Sequence, residues 1–177
     1  MKKLNIAVLF LFAFILVGAT AGAAEVKIGY ANLQRALNEC KAGIKAKADL
    51  KEEAQKLEKE LQTQQEGLKK LKEEIDKKAK VWNKETRERK EQDFKVKSQE
   101  FQKQFVDYGE ELNKKKQATE ARIIGELRDV VEEIAKKKKY SYVFERSVGG
   151  LLYAPEDADL TDEVIEIYDK KFKAKGK

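Results

Sequence analysis

The residue types in this chain exclude most covalent and metal chemistry. Its 177 residues include no histidine and one cysteine, Cys40. The sequence therefore cannot supply a Ser–His–Asp triad, a histidine-bound zinc ion or an intramolecular disulfide. Both common phosphate-binding loops, G-x-x-x-x-G-K-S/T and G-x-G-x-x-G, are also missing from it. We predict a protein that is not an enzyme and that holds no cofactor or metal.

The one cysteine has the spacing of a core residue. Leu33, Leu37 and Cys40 recur at the four- and three-residue intervals that place side chains on one face of a helix. A thiol at such a position behaves as a small apolar side chain. We therefore predict a buried Cys40 rather than a reactive one.

The basic residues could bind anionic partners. Lysines cluster at 69–72, 77–80, 114–116 and 136–139, and the clusters are interleaved with or flanked by Asp and Glu. Such mixed runs are typical of a solvated helix face. Contact with an anionic membrane surface is the alternative, and its affinity would fall as salt rises. No nucleic-acid partner is expected, because the two signs of charge are not segregated.

The N-terminus has the layout of a secretory signal peptide. Two lysines precede an apolar run over 4–17, which small residues follow. This order predicts a signal peptide at 1–23, cleaved near Ala23/Ala24, and hence a secreted protein. An uncleaved anchor is the alternative, because the stretch is long enough to span a bilayer.

Most of the remaining chain has the pattern of a coiled coil. Residues 44–139 contain no proline, and apolar residues recur there at alternating spacings of three and four. The first such seam comprises Ala54, Leu57, Leu61, Gln64, Leu68, Leu71, Ile75, Lys78 and Trp82. The second comprises Phe94, Ser98, Phe101, Phe105, Tyr108 and Leu112, and then, after a break, Ile123, Leu127, Val130 and Ile134. The two seams predict an antiparallel helical hairpin, or arm, over 44–139 with its tip near 84–90.

The two ends of the chain, 24–43 and 140–177, are predicted to form a small β-rich body. Alternation of apolar residues predicts one strand near 26–30. It also predicts a β-hairpin of two further strands, 140–146 and 151–154, joined by a glycine turn.

Polar and glycine residues mark the helix ends of this body. Asn32 is placed to cap a short helix, which Gly43 ends or bends. Thr161 is placed to cap a final helix, whose apolar stripe contains Val164 and Tyr168.

The predicted fold class is α+β, mostly α, with a small β-rich oligomerisation body and a long helical arm. So small a body buries too little surface to be stable alone, and a short sheet leaves open edges. We therefore predict an obligate homo-oligomer, whose copy number the residues leave open. The core of the shared body is predicted to comprise Val26, Ile28, Tyr30, Tyr142, Phe144 and Leu152.

The order of motifs resembles a known family. V-K-I-G-Y-A-N-L-Q-R-A-L precedes the long charged hairpin, and Y-S-Y-V-F-E-R, G-G-L-L-Y-A and D-L-T-D-E-V follow it. This arrangement resembles the Skp (OmpH-like) family of periplasmic chaperones over the whole mature chain. The resemblance implies a homotrimer with a prefoldin-like, jellyfish shape, in which three arms surround a cavity. It also implies an ATP-independent holdase that binds unfolded outer-membrane β-barrel proteins in the periplasm and prevents their aggregation.

The resemblance also suggests where such clients would bind. The client-contact candidates are Val81, Trp82, Val96 and Val106, of which the three valines lie off the seams. The aromatic residues with heptad spacing are predicted to pack within the arm instead. They are Phe94, Phe101, Phe105 and Tyr108. Lipopolysaccharide contact through a basic cluster is also implied, but the matching stretch 97–108 carries F-V-D-Y where arginines are expected.

Two glycines interrupt the arm. With a tip near residue 88, Gly67 and Gly109 would lie at one height on opposite helices, where each is less favourable than alanine by about 1 kcal/mol. We predict a hinge there that widens the cavity, with tolerated surface glycines as the alternative. For the whole protein, the alternative function is a structural coiled-coil spacer or envelope tether without clients.

Overall fold

The computed structural model describes residues 26–148 and 150–175. The predicted signal peptide and its cleavage site lie outside these residues. Within the described part, no helix combines the length and the apolar character needed to cross a membrane.

Two long helices dominate the described residues, beside two shorter helices and a pair of short strands, which confirms the predicted α+β, mostly α fold class. The elements in order are β1 (Ile28–Ala31), α1 (Leu33–Glu39), α2 (Lys41–Lys78), α3 (Lys84–Lys138), β2 (Tyr142–Glu145), a single 3₁₀ turn (Glu156–Ala158) and α4 (Thr161–Lys175).

The arm consists of α2 and α3 packed antiparallel. They contain 38 and 55 residues, which correspond to about 57 Å and about 83 Å at 1.5 Å per residue. Ion pairs between Glu74 and Lys90 near the tip, and between Glu53 and Lys115 nearer the body, fix their relative register. The extra length of α3 carries its C-terminal end into the body.

The predicted seams describe the contact between the two helices, with one exception on each. Every position of the first seam except Lys78, and every position of the second except Phe105, is at least partly buried. Phe105 is 59% exposed, and Gln104 is partly buried in its place. The prediction that Phe105 packs within the arm is therefore wrong. Residue 104 and residue 105 both fit alternating spacings of three and four between Phe101 and Tyr108. Spacing alone therefore does not predict which of the two is buried.

The tip of the arm lies earlier than predicted. The chain turns at 79–83, not near 84–90, because α3 already begins at Lys84. Asn83 caps this helix: its side-chain oxygen accepts a hydrogen bond from the Thr86 amide at 2.8 Å. No glycine or proline marks the turn, so an asparagine cap was its only local signal.

The core of the body forms where the base of the arm meets the short helices. Ile123, Leu127, Val130 and Ile134 of α3 are at most 2% exposed. Leu33, Leu37 and Cys40 pack against them from the N-terminal side, and Leu160, Val164 and Tyr168 from the C-terminal side. Cys40 is buried, as its spacing predicts.

The joint between α1 and α2 lies at Cys40 rather than at Gly43. The Cys40 thiol accepts a hydrogen bond from the Gly43 amide at 3.4 Å, so Cys40 caps α2 and Gly43 lies in its first turn. A Cβ atom on Gly43 would lie 1.7 Å from the Leu37 carbonyl oxygen. The glycine is required by this close approach of backbone to backbone, not by a bend.

The sheet differs from the predicted one. β1 pairs in parallel with β2, with Ile28 opposite Tyr142. The opposite side of β1 is covered by Asp159 and by the Leu160 amide, which donates to the Tyr30 carbonyl at 2.8 Å. The predicted hairpin is therefore wrong: residues 151–154 form no strand. The chain leaves β2 and crosses to the far edge of β1 instead of folding back on β2.

Thr161 begins α4 but does not cap it as predicted. Its side chain is fully buried and joins three segments. The hydroxyl accepts a hydrogen bond from the Asn32 amide at 2.9 Å and donates one to the Asp159 carboxylate. The Asn32 side chain caps α1 through the Arg35 amide at 2.8 Å, as predicted. These contacts hold the start of α4 against the end of β1.

Candidate binding surfaces of the body and arm

The body exposes a group of apolar side chains at the sheet. Of the six residues predicted for the shared core, only Tyr30 is buried within the single chain. Val26, Ile28, Tyr142, Phe144 and Leu152 are between 45% and 100% exposed, and Val148 and Tyr153 are exposed beside them in the chain. Monomeric proteins seldom leave so many large apolar side chains uncovered, and such groups mark interaction sites.

A groove runs between α3 and β2. Its volume is about 350 Å³, and its lining includes Val131 and Ala135 of α3 and Tyr142 and Phe144 of β2. The rings of Tyr142 and Phe144 stack, with centroids 6.4 Å apart, because alternate residues of a strand point to one side. Its lining also includes Ala31 at the end of β1, so the groove is not confined to β2.

Glu145 organises the chain where β2 ends. Its carboxylate accepts hydrogen bonds from the Ser147 hydroxyl at 2.6 Å, the Val148 amide at 2.7 Å and the Leu33 amide at 3.1 Å. Burial raises the pKa of Glu145, but these hydrogen bonds outweigh burial and leave the pKa below its usual value. An ionised Glu145 thus holds the turn after β2 against the start of α1.

The arm has a second apolar groove along its middle. It lies between α2 and α3, and its lining includes Leu57, Leu61, Phe101, Phe105 and Tyr108. Phe105, displaced from the seam by Gln104, forms part of this open surface. Sequence spacing missed Phe105 as a binding candidate. The buried side-chain amide of Gln104 is what shows that residue 104, rather than residue 105, belongs to the seam.

Gln104 is a defect in the seam. Its side-chain oxygen is buried and has no hydrogen-bond partner among the described residues. Gln64 of α2 lines the same groove as Gln104, together with Gly67 and Leu68. A polar layer thus interrupts the apolar packing halfway along the arm.

The predicted client-contact residues are spread along the arm. Val81 is 79% exposed at the tip, and Val96 and Val106 are 39% and 50% exposed on α3. Val96 and Val106 are separated by about 15 Å along the helix axis. Trp82 is partly buried, and the Lys90 ammonium lies 5.9 Å from its ring centroid. These residues do not converge on one pocket.

The two glycines of the arm do not face each other. The Tyr108 hydroxyl meets Glu60 at 3.4 Å, so Gly109 lies opposite the region near 59, eight residues from Gly67. That is a difference in height of about 12 Å. The prediction that the two glycines lie at one height and form a hinge is therefore wrong, because it assumes a tip near residue 88 and the chain turns at 79–83. A Cβ atom on either glycine would meet no described atom within 4 Å.

Ion pairs neutralise part of three of the four lysine clusters. The pairs are Lys77–Glu73, Lys78–Glu74, Lys114–Glu110 and Lys136–Glu132, each spaced four residues apart on one helix. This pattern favours a solvated face. In the part of the chain that the structure describes, no three His, Cys, Asp or Glu side chains are grouped as a metal site would require.

Polar contacts tie α4 to the base of the arm. The Tyr168 hydroxyl donates to Glu126 at 2.5 Å, and Lys138 pairs with Glu163 at 2.7 Å. Burial, followed by the hydrogen bond to Glu126, raises the pKa of Tyr168. The hydroxyl therefore stays protonated as a donor at neutral pH.

Known proteins with similar sequences and structures indicate the family of this chain. The family model for "Outer membrane protein (OmpH-like)" matches residues 27–168. A protein of Aquifex aeolicus (strain VF5), described as uncharacterized, is 29% identical over 136 residues, which cover 77% of this chain and 82% of that protein.

A solved structure has the same fold. It is the crystal structure of an OmpH-like protein from Caulobacter crescentus CB15, a candidate outer membrane chaperone. The TM-score is 0.77 at 21% sequence identity, covering 87% of this chain and 90% of that one. The matched residues 27–168 include β1, the complete arm, β2 and the first half of α4, and the chain belongs to the OmpH-like family.

Proposed function

We propose that the chain is an ATP-independent holdase chaperone of the periplasm, which binds unfolded outer-membrane β-barrel proteins and prevents their aggregation. One observation carries the proposal. A member of the OmpH-like family presents exposed apolar side chains along a projecting arm.

The chemistry of such clients fits this surface. Unfolded barrel strands alternate apolar and polar residues and have unpaired backbone edges, so they aggregate in water. Shielding them requires many weak apolar contacts rather than one tight site. Contacts distributed over several arms raise the effective concentration while each remains easily broken.

Four exposed residues are the proposed client contacts. They are Val81 at the tip and Val96, Phe105 and Val106 on α3. Trp82 has a smaller share because its ring is partly buried near Lys90. The 880 Å³ groove along the arm adds apolar lining beside Phe105.

The body is proposed to join three copies. Covering its exposed apolar residues requires neighbours, and three arms leaving one body would enclose a cavity for the client. The N-terminal segment 1–23 is proposed to direct export to the periplasm and to be removed there.

Aggregation of a client tests the function. A β-barrel outer-membrane protein is diluted from urea with or without the purified mature protein, and light scattering is followed. Suppression at about one trimer per client, without ATP, is the expected result. An unrelated coiled-coil protein at equal mass serves as the control. Scattering equal to that control would contradict the holdase and favour the spacer or tether.

A further inference from the structure

The contact between α2 and α3 is interrupted near the base of the arm. Residues 113–118 of α3 are all exposed, although no more than three consecutive residues are exposed elsewhere in that helix. The interruption coincides with the eleven-residue step from Leu112 to Ile123, which exceeds one heptad by four residues. An ion pair between Glu53 and Lys115 crosses it. We call this level of the arm the gap.

Two grooves flank the gap. Each has a volume of about 430 Å³, and both are lined by Ala46 and Leu50 of α2 and by Thr119 of α3. Leu37 of α1 contributes to the lining of the first groove, and Phe172 of α4 to that of the second. Side chains that face open space lose packing contacts on that side. The two long helices are therefore weakly held to each other at the gap.

The second half of α4 bonds to both long helices close to the gap. The Asp169 carboxylate accepts a hydrogen bond at 2.8 Å from the amide of Lys41, the first residue of α2. One residue earlier, the Tyr168 hydroxyl donates to Glu126 of α3 at 2.5 Å. Neighbouring residues of one short helix thus connect the start of α2 to α3.

Phe172 adds an apolar contact beside these polar ones. Its ring stacks on that of Tyr168 with centroids 6.5 Å apart, and it is partly buried against the core. Between them along the chain, Lys171 forms an ion pair with Glu133 of α3. Residues 168–172 therefore contact α2, α3 and one groove of the gap together.

The first half of α4 is held independently of these contacts. Val164 is fully buried in the core, and the Leu160 amide donates to the Tyr30 carbonyl at 2.8 Å. Arg35 of α1 forms an ion pair with Asp162 at 2.8 Å. Detachment of residues 168–172 would therefore leave the start of α4 attached to the sheet.

We propose that residues 168–172 form a strap that holds α2 and α3 together across the gap, and that the two helices separate there when the strap detaches. The strap bonds to α2 through Asp169 and to α3 through Tyr168, and it lines one groove with Phe172. It supplies from outside the arm the contact that the seam lacks over 113–118. The arm thus depends at its base on the last helix of the chain.

Hydrogen exchange followed by mass spectrometry tests the strap in the purified mature protein at a fixed concentration. The strap variant carries Asp169→Ala and Phe172→Ala. Amides of α2 over 44–52 and of α3 over 113–120 should exchange at least tenfold faster than in the wild type, because local opening governs their exchange. Amides over 60–71, in the middle of the arm, should exchange at the wild-type rate.

Three further variants complete the experiment. Glu166→Ala is the matched control, because Glu166 pairs with Lys170 within α4 and this pair does not involve the arm; its exchange should equal that of the wild type. Phe172→Ala alone should accelerate the same amides at least threefold, and it replaces the double variant if that variant does not fold. Phe172→Leu retains an apolar side chain and should stay within twofold of the wild type.

Acceleration confined to the gap would support the strap, and three outcomes would overturn it. The first is unchanged exchange at the gap in the variants that lack Phe172. The second is equal acceleration at the gap and in the middle of the arm, which would indicate a general loss of stability. The third is acceleration that extends to β1 and β2, which would show that these residues support the body instead. The measurement involves no client, so its result is independent of the proposed holdase function.

Discussion

Gly43 shows how one residue sets the geometry of the whole arm. The first turn of α2 passes the end of α1 so closely that only a hydrogen fits between Gly43 and the Leu37 carbonyl. The Cys40 thiol completes the joint by capping α2. The direction in which the arm leaves the body is therefore decided within four residues.

Gly43→Ala should destabilise the protein by about 1–3 kcal/mol, because the added methyl group must push two backbones apart. Urea unfolding at fixed protein concentration measures the loss. Gly67→Ala is the matched control: a Cβ there meets no described atom within 4 Å, so stability should stay equal or rise by about 1 kcal/mol. Equal midpoints for the wild type and Gly43→Ala would contradict this explanation of the joint.

Glu145 should make stability depend on acid. Its folded pKa lies below the unfolded value of about 4.3, so the ionised carboxylate stabilises the fold at neutral pH. That contribution is lost as the pH falls through the folded pKa. Glu145→Gln should lower the urea midpoint at pH 7 and lose less than the wild type on going from pH 5 to pH 3. The exposed Glu58→Gln is the control. Equal acid sensitivity in the wild type and Glu145→Gln would contradict the claim that the ionised Glu145 stabilises the turn after β2.

At the level of elements, the polar layer at Gln64 and Gln104 is a built-in weakness of the arm. Most seam positions above and below it are at least partly buried, whereas the buried Gln104 oxygen has no partner in the described residues. A buried polar group without a hydrogen bond costs about 1–3 kcal/mol. The arm is therefore expected to open first at this layer.

Gln104→Leu should stabilise the arm by about 1–2 kcal/mol, because it replaces an unsatisfied amide by an apolar side chain. Thermal unfolding followed by circular dichroism measures the change. Gln99→Leu, at an exposed position of the same helix, controls for helix propensity and should change stability little. A destabilised Gln104→Leu would show that the amide is satisfied in solution.

The arms could be predicted from the sequence because their contacts are local and periodic. A heptad seam specifies which residues meet without any knowledge of the rest of the chain. The tip could not be placed, because Asn83 alone marks it and no glycine or proline helps. Which of Gln104 and Phe105 occupies the seam could not be predicted either, since both positions satisfy the same spacing.

The sheet was harder to predict for the opposite reason. β1 and β2 are separated by the whole arm, so their parallel pairing depends on where the arm base places the two chain ends. A glycine turn followed by an apolar stretch such as 151–154 is the usual signal of a local hairpin. In the structure the chain does not form this hairpin, and Asp159 and Leu160 instead cover the free side of β1.

At the scale of the whole molecule, the exposed Phe105 should contribute directly to client holding. Phe105→Ser is expected to weaken client affinity by roughly fivefold, equivalent to about 1 kcal/mol, while thermal stability remains unchanged because the ring is 59% exposed. Titration of a urea-diluted barrel protein, with the neighbouring Lys103→Ser as control, measures the effect. Unaltered affinity for Phe105→Ser would remove this residue from the client surface.

The unequal lengths of the two long helices have a mechanical consequence. α3 is a single rod whose last part is clamped by Ile123, Leu127, Val130 and Ile134, while about 60 Å of it projects beyond that clamp to the tip. The clamped part is about 17 Å long, so the helix acts as a lever with a ratio between three and four. A shift of about 1 Å among the packed side chains of the body thus displaces the tip by about 3–4 Å. A large displacement of the tip then needs only small repacking near the root of the helix.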